Sequence, residues 1–141
     1  MEEEKKDLCV DVDGTILNVR VLIIMNTPKG YIFEKHKTGF YFAIGGRIKI
    51  GESSIEACER EMLEELGLKN VSVKMVGIVE NFFKMDGNDY HEINMVFKSD
   101  LDNAPDLDAL KGSSSQDGYI FIDSGDLDQY NIKPKILPEL F

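Results

Sequence analysis

Runs of apolar residues divide this sequence into a series of predicted β-strands that are separated by polar turns. The strand-like runs are rich in Val, Ile, Phe and Tyr, and they span residues 18–25, 31–35, 40–44, 71–83, 92–98 and 119–123. Turn-forming residues fall between them, at 27–30, at 86–89 and in the polar stretch 100–118. We expect that polar stretch to be the most mobile loop of the chain.

One segment carries the signals of an α-helix instead. Ser53 and Glu56 have the spacing of a capping box, and Gly67 is a typical residue for the C-terminal end of a helix. A second, shorter helix is expected at the end of the chain, beginning at Pro134. Strands combined with few helices predict one α/β domain over residues 1–141, with a mixed sheet.

The sequence LCVDVDGTIL at residues 8–17 permits two interpretations. Asp-x-Asp-Gly-Thr after an apolar run resembles the motif of haloacid-dehalogenase-like phosphatases, in which Asp11 would attack phosphorus and Asp13 would assist. Such enzymes need repeated β-α units, whereas one clear helix is predicted ahead of the C-terminal segment. Asp13-Gly14 between alternating apolar residues favours a β-hairpin over residues 8–19, and we prefer that interpretation.

The composition narrows the range of ligands. Acidic residues outnumber basic ones by 26 to 16, which gives a net charge of −10 at pH 7. This charge repels nucleic acids and anionic membranes at long range, so we expect a small-molecule substrate, and a phosphorylated one needs a local cation. The N-terminus lacks a secretory signal and no stretch is long enough to span a bilayer, so a cytoplasmic protein is expected. The cysteines and histidines lack the spacing of a zinc site.

The predicted helix concentrates acidic residues on one side. At about 100° per residue, one face carries three glutamates, namely Glu61, Glu64 and Glu65. The neighbouring flank is apolar and is expected to pack, and it contains Ile55, Met62 and Leu66. Like charges this close destabilise an isolated helix, and a hard divalent cation reverses that effect. Oxygen ligands favour Mg²⁺ or Mn²⁺ over zinc, although an ordinary solvated face is the alternative interpretation.

The spacing around this helix decides between the two. From Gly46 to Leu68 the sequence reads GRIKIGESSIEACEREMLEELGL, which satisfies every position of the Nudix box, Gly-x5-Glu-x7-Arg-Glu-U-x-Glu-Glu-x-Gly-U, where U is a bulky aliphatic residue. The sequence therefore resembles the Nudix hydrolases. The segments NVRVLIIM, GYIFEKH, GFYFAIGG and GYIFIDSGDLDQYNIKP are similar to the family's strands, glycine-rich approach and terminal segment. Ile44 departs from the proline that many members carry before the double glycine.

The resemblance implies an α/β/α sandwich and an enzyme that hydrolyses a nucleoside diphosphate linked to another group. In such enzymes water attacks phosphorus while a divalent cation neutralises the diphosphate. By the same resemblance, Glu61 and Glu65 are the main ligands of Mg²⁺ or Mn²⁺, Glu64 supplies a second ligand or a water contact, and the backbone carbonyl of Gly45 is an additional ligand. Gly45 and Gly46 also allow the backbone to approach the diphosphate closely.

The remaining residues of the box have more than one possible role. Arg60 orients a carboxylate or contacts phosphate, unless it is a solvated helix arginine. Glu52 assists the metal cluster, and its charge also stabilises the N-terminus of the helix. For the general base, Glu61 or Glu64 acts through a metal-bound water. Glu92 is a further candidate for the general base, and the alternative interpretation is an ordinary surface residue on a strand.

The sequence leaves the substrate and the assembly open. Nudix-like domains also serve as non-catalytic nucleotide sensors, but such modules commonly lose carboxylates from the box, and this chain retains every one. No marker selects among nucleotide sugars, ADP-ribose and modified nucleoside triphosphates. A homodimer is compatible with the sequence, although no feature specifies one.

Overall fold

A mixed sheet of eight strands organises residues 5–110 and 116–141, which are the part of the chain that the computed structural model describes. In chain order the strands are β1 (Cys9–Val12), β2 (Thr15–Thr27), β3 (Gly30–His36), β4 (Tyr41–Arg47), β5 (Lys74–Met85), β6 (Asn88–Asp100), β7 (Gln116–Ile122) and β8 (Ile132–Lys133). Helix α1 spans Ser54–Leu66, and 3-10 helices occupy Leu107–Ala109, Ser124–Gln129 and Leu137–Leu140.

Strand β2 lies at the centre of the sheet, where it pairs with β1, β3, β4 and β6. The strand order is β5-β6-β2-β3-β4-β8, with β1 paired to β2 and β7 paired to β3. β2 runs parallel to β6 from Thr15 to Asn26, and it runs antiparallel to β4, where Val21 lies opposite Gly46. The parallel β2–β6 and β4–β8 pairs make the sheet mixed, as the sequence predicted.

Two apolar layers cover the two faces of β2. Val21, Ile23 and Met25 pack in the cluster that contains the inner face of α1, whereas Leu22 and Ile24 pack in a second cluster on the opposite face. Successive residues of β2 point to opposite faces, and both sets are apolar because both faces of the strand are covered. This arrangement places α1 above β2 and β4.

The C-terminal segment covers the second face with 3-10 turns instead of the predicted short α-helix. Leu137 is fully buried in the second cluster and begins the last of these turns, Leu137–Leu140. Pro134 precedes the turn and Pro138 lies within it. Because proline lacks a backbone N–H, two prolines so close leave too few donors to propagate an α-helix.

The opening stretch forms the expected hairpin. β1 pairs antiparallel with the start of β2, and both turn residues have positive φ, 50° at Asp13 and 90° at Gly14, as a two-residue hairpin of this kind requires. Asp11 accepts a hydrogen bond from the backbone N–H of Gly14 at 2.8 Å. The described residues lack the repeated β-α units of a haloacid-dehalogenase-like phosphatase, so in this fold Asp13 is a turn residue and Asp11 a strand residue of the hairpin.

Each predicted strand is present, but several ends are displaced. Strand β5 begins at Lys74, after residue 71. Strand β6 begins at Asn88, before residue 92, because the turn at Asp86 and Gly87 joins it directly to the end of β5 as a continuous hairpin. The stretch 100–118, expected to be mobile, contains the turn Leu107–Ala109 and the start of β7, and residues 111–115 lie outside the described part. No helix in the described ranges is long and apolar enough to cross a bilayer.

Candidate active site

Helix α1 begins and ends at the residues that the sequence indicated. The hydroxyl of Ser53 accepts a hydrogen bond from the backbone N–H of Glu56, and the carboxylate of Glu56 accepts one from the backbone N–H of Ser53, each at 3.1 Å. Gly67 has a φ of 67° and ends the helix in the left-handed conformation. These caps fix the register of the helix and hence the side on which its glutamates lie.

Part of the acidic face of α1 is turned toward the sheet. The buried residues of the helix are Ala57, Cys58, Glu61, Met62 and Leu66. The expectation that Ile55 packs is wrong, because it is 50% exposed and the helix joins the core only from Ala57 onward. Glu61, by contrast, is only 9% exposed. Acidic and apolar residues therefore share the inner face of the helix.

The guanidinium of Arg60 gathers three box glutamates, and we call these four residues the arginine cluster. Nε and Nη2 donate to the two oxygens of Glu52 at 2.7 and 3.0 Å. Nη1 donates to Glu61 Oε1 at 2.9 Å and to Glu64 Oε2 at 3.3 Å. The second N–H of Nη2 donates to the carbonyl of Arg47 at 2.9 Å.

These contacts occupy all the N–H groups that an arginine side chain carries. The geometry therefore favours Arg60 as a residue that orients carboxylates over one that contacts phosphate. The hydrogen bond from Arg60 lowers the pKa of Glu52, which stays charged. Glu52 Oε1 also accepts a hydrogen bond from the backbone N–H of Lys49 at 3.0 Å, so it ties the loop before the helix to the arginine cluster.

A second group of carboxyls extends from Glu61 toward strand β3. The carboxyl of Glu65 interacts with that of Glu61 on one side and with that of Glu34 on the other. We call Glu34 and Glu65 the facing pair, because they approach from the strand and from the helix. Burial is the largest cause that raises the pKa of Glu65 to about 11, followed by the hydrogen bond and the charge of Glu34. Glu65 Oε2 and Glu34 Oε1 are buried without a hydrogen-bond partner.

Glu34 and Tyr119 belong to this site, although sequence reasoning did not select them. Glu34 lies directly opposite Tyr119 on strand β7, and Tyr119 packs against the cluster that contains the inner face of α1. Burial, and then the charges of Glu65, Glu34 and Glu61, raise the pKa of Tyr119. The signal in the sequence was alternation along β3, since Glu34 shares its parity with the buried Ile32.

The double glycine, Gly45 and Gly46, lets strand β4 approach both helix α1 and strand β2 closely. A Cβ at Gly46 would lie 2.7 Å from Glu61 Cδ, and a Cβ at Gly45 would lie 3.0 Å from the backbone carbon of Val21. Gly46 therefore forms the floor against which the Glu61 carboxyl rests. Ile44, which replaces the common proline, is fully buried opposite Ile23, so strand pairing and packing hold this segment in place.

Comparison with known proteins assigns the family. A model of the NUDIX domain matches residues 9–138. The chain belongs to the NUDIX domain family. It is similar to an RNA pyrophosphohydrolase of Francisella philomiragia, with 28% identity over 78 residues that make up 55% of this chain and 50% of that protein. The chain thus spans about half the length of this curated relative.

Solved structures of Nudix proteins share the fold. The dihydroneopterin triphosphate pyrophosphohydrolase of E. coli has a TM-score of 0.70 and 14% identity, over 86% of this chain and 90% of that chain. The NUDIX domain of Shewanella oneidensis NrtR, complexed with ADP ribose, has a TM-score of 0.67 and 13% identity, over 88% and 85% of the two chains. The predicted Nudix-like α/β/α sandwich with a mixed sheet is confirmed.

The Nudix residues present have the chemistry that a hard divalent cation prefers. Their donors are carboxylate oxygens, one of which, Glu65 Oε2, is buried without a partner, and the Glu61 carboxyl lies where a Cβ at position 46 would stand. Within the described ranges, no group of three or more acidic, histidine or cysteine side chains is arranged so that it could hold a metal ion as it stands. Arg60 engages Oε1 of Glu61, so Glu61 Oε2 is the oxygen that Arg60 leaves to a cation.

Glu92 is the one predicted site residue that the structure separates from the others. It lies opposite Asn18 on β2 and accepts a hydrogen bond from Asn18 Nδ2 at 3.2 Å. Asn18 has the parity of Leu22 and Ile24, which face away from α1, so Glu92 is on the opposite face of the sheet. It is 9% exposed and not a surface residue, because the amide of Asn18 compensates its burial.

Proposed function

We propose that this protein hydrolyses a pyrophosphate bond in a small molecule that contains a nucleoside diphosphate linked to another group, and that it requires Mg²⁺ or Mn²⁺. The observation that carries this proposal is the gathering of Glu61 and Glu65, with a buried unpartnered oxygen, beside Gly46. Membership of the NUDIX family supports the reaction class. The similar protein of Francisella philomiragia, an RNA pyrophosphohydrolase, supports it as well.

Glu61 and Glu65 would hold the cation, with Glu64 and the carbonyl of Gly45 as further ligands. When bound, the ion neutralises negative charge on the diphosphate and favours the attack of water on phosphorus. A chain with a net charge of −10 needs such a cation to bind a substrate that is itself an anion. The carboxylate oxygens of the site make Mg²⁺ or Mn²⁺ a better match than zinc.

The protein's own groups fix the positions of the reactants. Arg60 holds Glu52 and Glu61 in one orientation, and the absence of a side chain at Gly46 keeps the floor of the site open. Glu61 and Glu64 are the candidates to accept the proton of the attacking water. The side chain of Glu64 is 58% exposed and therefore within reach of solvent. Glu92 is not assigned this role, since it lies on the other face of the sheet.

A panel of substrates tests the proposal. Nucleotide sugars, ADP-ribose, modified nucleoside triphosphates and an RNA oligonucleotide with a 5′-triphosphate are incubated with Mg²⁺ or Mn²⁺, and the phosphate-containing products are measured. We expect turnover of one of the small molecules, and less of the RNA because the acidic surface repels its backbone.

The same panel is repeated with Glu65→Gln and with Glu59→Gln, a matched control from the exposed face of the same helix. We expect Glu65→Gln to lower the rate by about 10³-fold, since several kcal/mol of charge stabilisation are lost, and Glu59→Gln to retain it. Equal rates in the parent and Glu65→Gln would contradict the assigned role. Tight binding without turnover by the parent would instead indicate a nucleotide-binding module.

A further inference from the structure

Glu34 is a glutamate outside the Nudix box whose side chain nevertheless reaches the box carboxylates. It lies in the middle of β3, opposite Phe42 on β4 and Tyr119 on β7. Cross-strand partners project to the same face of a sheet, and here that face is the one covered by α1, where Tyr119 packs. Glu34 therefore faces the helix, where Glu65 is its neighbouring carboxyl.

The facing pair contains carboxyl oxygens that receive no hydrogen bond from the protein. Glu34 Oε1 and Glu65 Oε2 are both buried and have no hydrogen-bond partner. Buried oxygens without partners are unfavourable, and natural proteins rarely retain them without a ligand or a function. The two oxygens come from different elements, so a ligand between them would join the strand to the helix.

We propose that Glu34 is an additional carboxylate of the metal centre, which completes the oxygen set of Glu61 and Glu65 from the strand side. This inference rests on the proposed function, because it concerns the same cation. A hard divalent cation takes carboxylate oxygens from separate elements, whereas a neutral amide at position 34 supplies a weaker ligand without charge. Glu34 thus extends the metal site beyond the helix and the double glycine, onto strand β3.

Metal binding in the absence of substrate tests this assignment. Mn²⁺ and Mg²⁺ are titrated by calorimetry into the parent, Glu34→Gln and Glu80→Gln. Glu80 is the matched control, because it is also a strand glutamate but its side chain is 64% exposed and pairs with His91. We expect Glu34→Gln to weaken the metal affinity by about 10- to 100-fold and Glu80→Gln to leave it unchanged.

The rise in melting temperature on addition of Mg²⁺ gives a second readout, and it should shrink in Glu34→Gln alone. Glu34→Asp retains the charge with a shorter reach, so its affinity should lie between those of the parent and Glu34→Gln. This variant also serves as the test if Glu34→Gln fails to fold. Equal affinity in the parent and the Glu34 variants would overturn the inference and leave the proposed function intact. A parent that binds neither ion would overturn both.

Discussion

The arginine cluster and the facing pair share one helix, yet their carboxyl groups are in opposite electrostatic situations. In the arginine cluster, every N–H of Arg60 is engaged and the pKa of Glu52 is lowered. In the facing pair, burial and the neighbouring Glu34 raise the pKa of Glu65 to about 11. The glutamates of the box therefore divide into those that the protein itself satisfies and those that it leaves for a ligand.

Glu61 belongs to both groups and couples them. Its Oε1 accepts a hydrogen bond from Arg60 at 2.9 Å, and its carboxyl also interacts with that of Glu65. Burial raises its pKa while the Arg60 charge opposes that shift. Arg60, Glu61, Glu65 and Glu34 thus form a continuous row that begins at a positive charge and ends at an unpartnered oxygen. Changes to Glu61 should consequently affect both ends.

Among changes outside the carboxylate side chains, Gly46→Ala should have the largest effect, because it displaces Glu61, the residue that the two groups share. The new methyl group would collide with the Glu61 carboxyl, which Arg60 and Glu65 hold in place. We expect hydrolysis to fall by about 10²-fold, in line with a small misplacement of catalytic groups. Circular dichroism should show a folded protein.

The matched control for this change is Gly125→Ala. A Cβ at Gly125 meets no atom within 4 Å, and its backbone does not have positive φ. Its rate and stability should remain close to those of the parent. If Gly46→Ala retained the parent rate and metal affinity, contact between β4 and Glu61 would not define the site.

Arg60→Lys tests the arginine cluster alone. Lysine retains the positive charge but lacks the planar fork that holds both oxygens of Glu52, so Glu52 and Glu61 lose fixed partners. We expect the free energy of unfolding to fall by about 1–2 kcal/mol, discounted because the Arg60 side chain is 20% exposed. We also expect the rate to fall by about tenfold. Chemical denaturation and steady-state kinetics measure these effects. An unchanged stability would show that water can replace the hydrogen bonds that Arg60 donates to the glutamates.

The contrast between these groups also shows what a sequence can predict. The spacing of Ser53, Glu56 and Gly67 predicted the helix, because caps depend on neighbours in the chain. The spacing of the box likewise predicted that its glutamates are close together. The exposure of Ile55 was not predictable, since the wheel gives an angle but not the point at which the helix meets the sheet.

Whether Glu34 and Glu92 reach the site depends on the order and pairing of the strands, which a local sequence pattern does not give. Glu34 reaches the site because β3 pairs with both β4 and β7 below the helix. Glu92 leaves it because parallel pairing with β2 sets its parity to that of Asn18. A strand register shifted by one residue would turn Glu34 away from α1 and Glu92 toward it. Alternation along each strand was visible in the sequence, but the face that α1 covers was not.

The pH dependence of stability examines the facing pair. The pKa of Glu65 rises from 4.5 to about 11 on folding, so the folded state binds the proton more tightly. The groups that face it are Glu34, Glu61 and Tyr119. In metal-free buffer, the free energy of unfolding should therefore fall as pH rises above 4.5 toward 11, by at most about 1.4 kcal/mol per pH unit for one proton.

Glu65→Gln provides the comparison for this slope, because an amide does not titrate. Urea denaturation of the parent and the variant between pH 6 and pH 9, in the presence of a chelator, measures the difference. The variant should show a flatter profile and should be the more stable protein at the alkaline end. Parallel profiles would mean that Glu65 titrates alike in the folded and unfolded states.

Glu92→Gln should have the smallest effect on catalysis. This carboxyl is as buried as that of Glu61, but its partner is the neutral amide of Asn18 and it lies on the face of the sheet away from α1. Burial alone therefore does not identify a catalytic glutamate in this fold, because the face of the sheet decides what the carboxyl can reach. We expect kcat and metal affinity within about twofold of the parent, with a change limited to stability. A loss of about 10²-fold in kcat with normal folding would show instead that the opposite face contributes the general base.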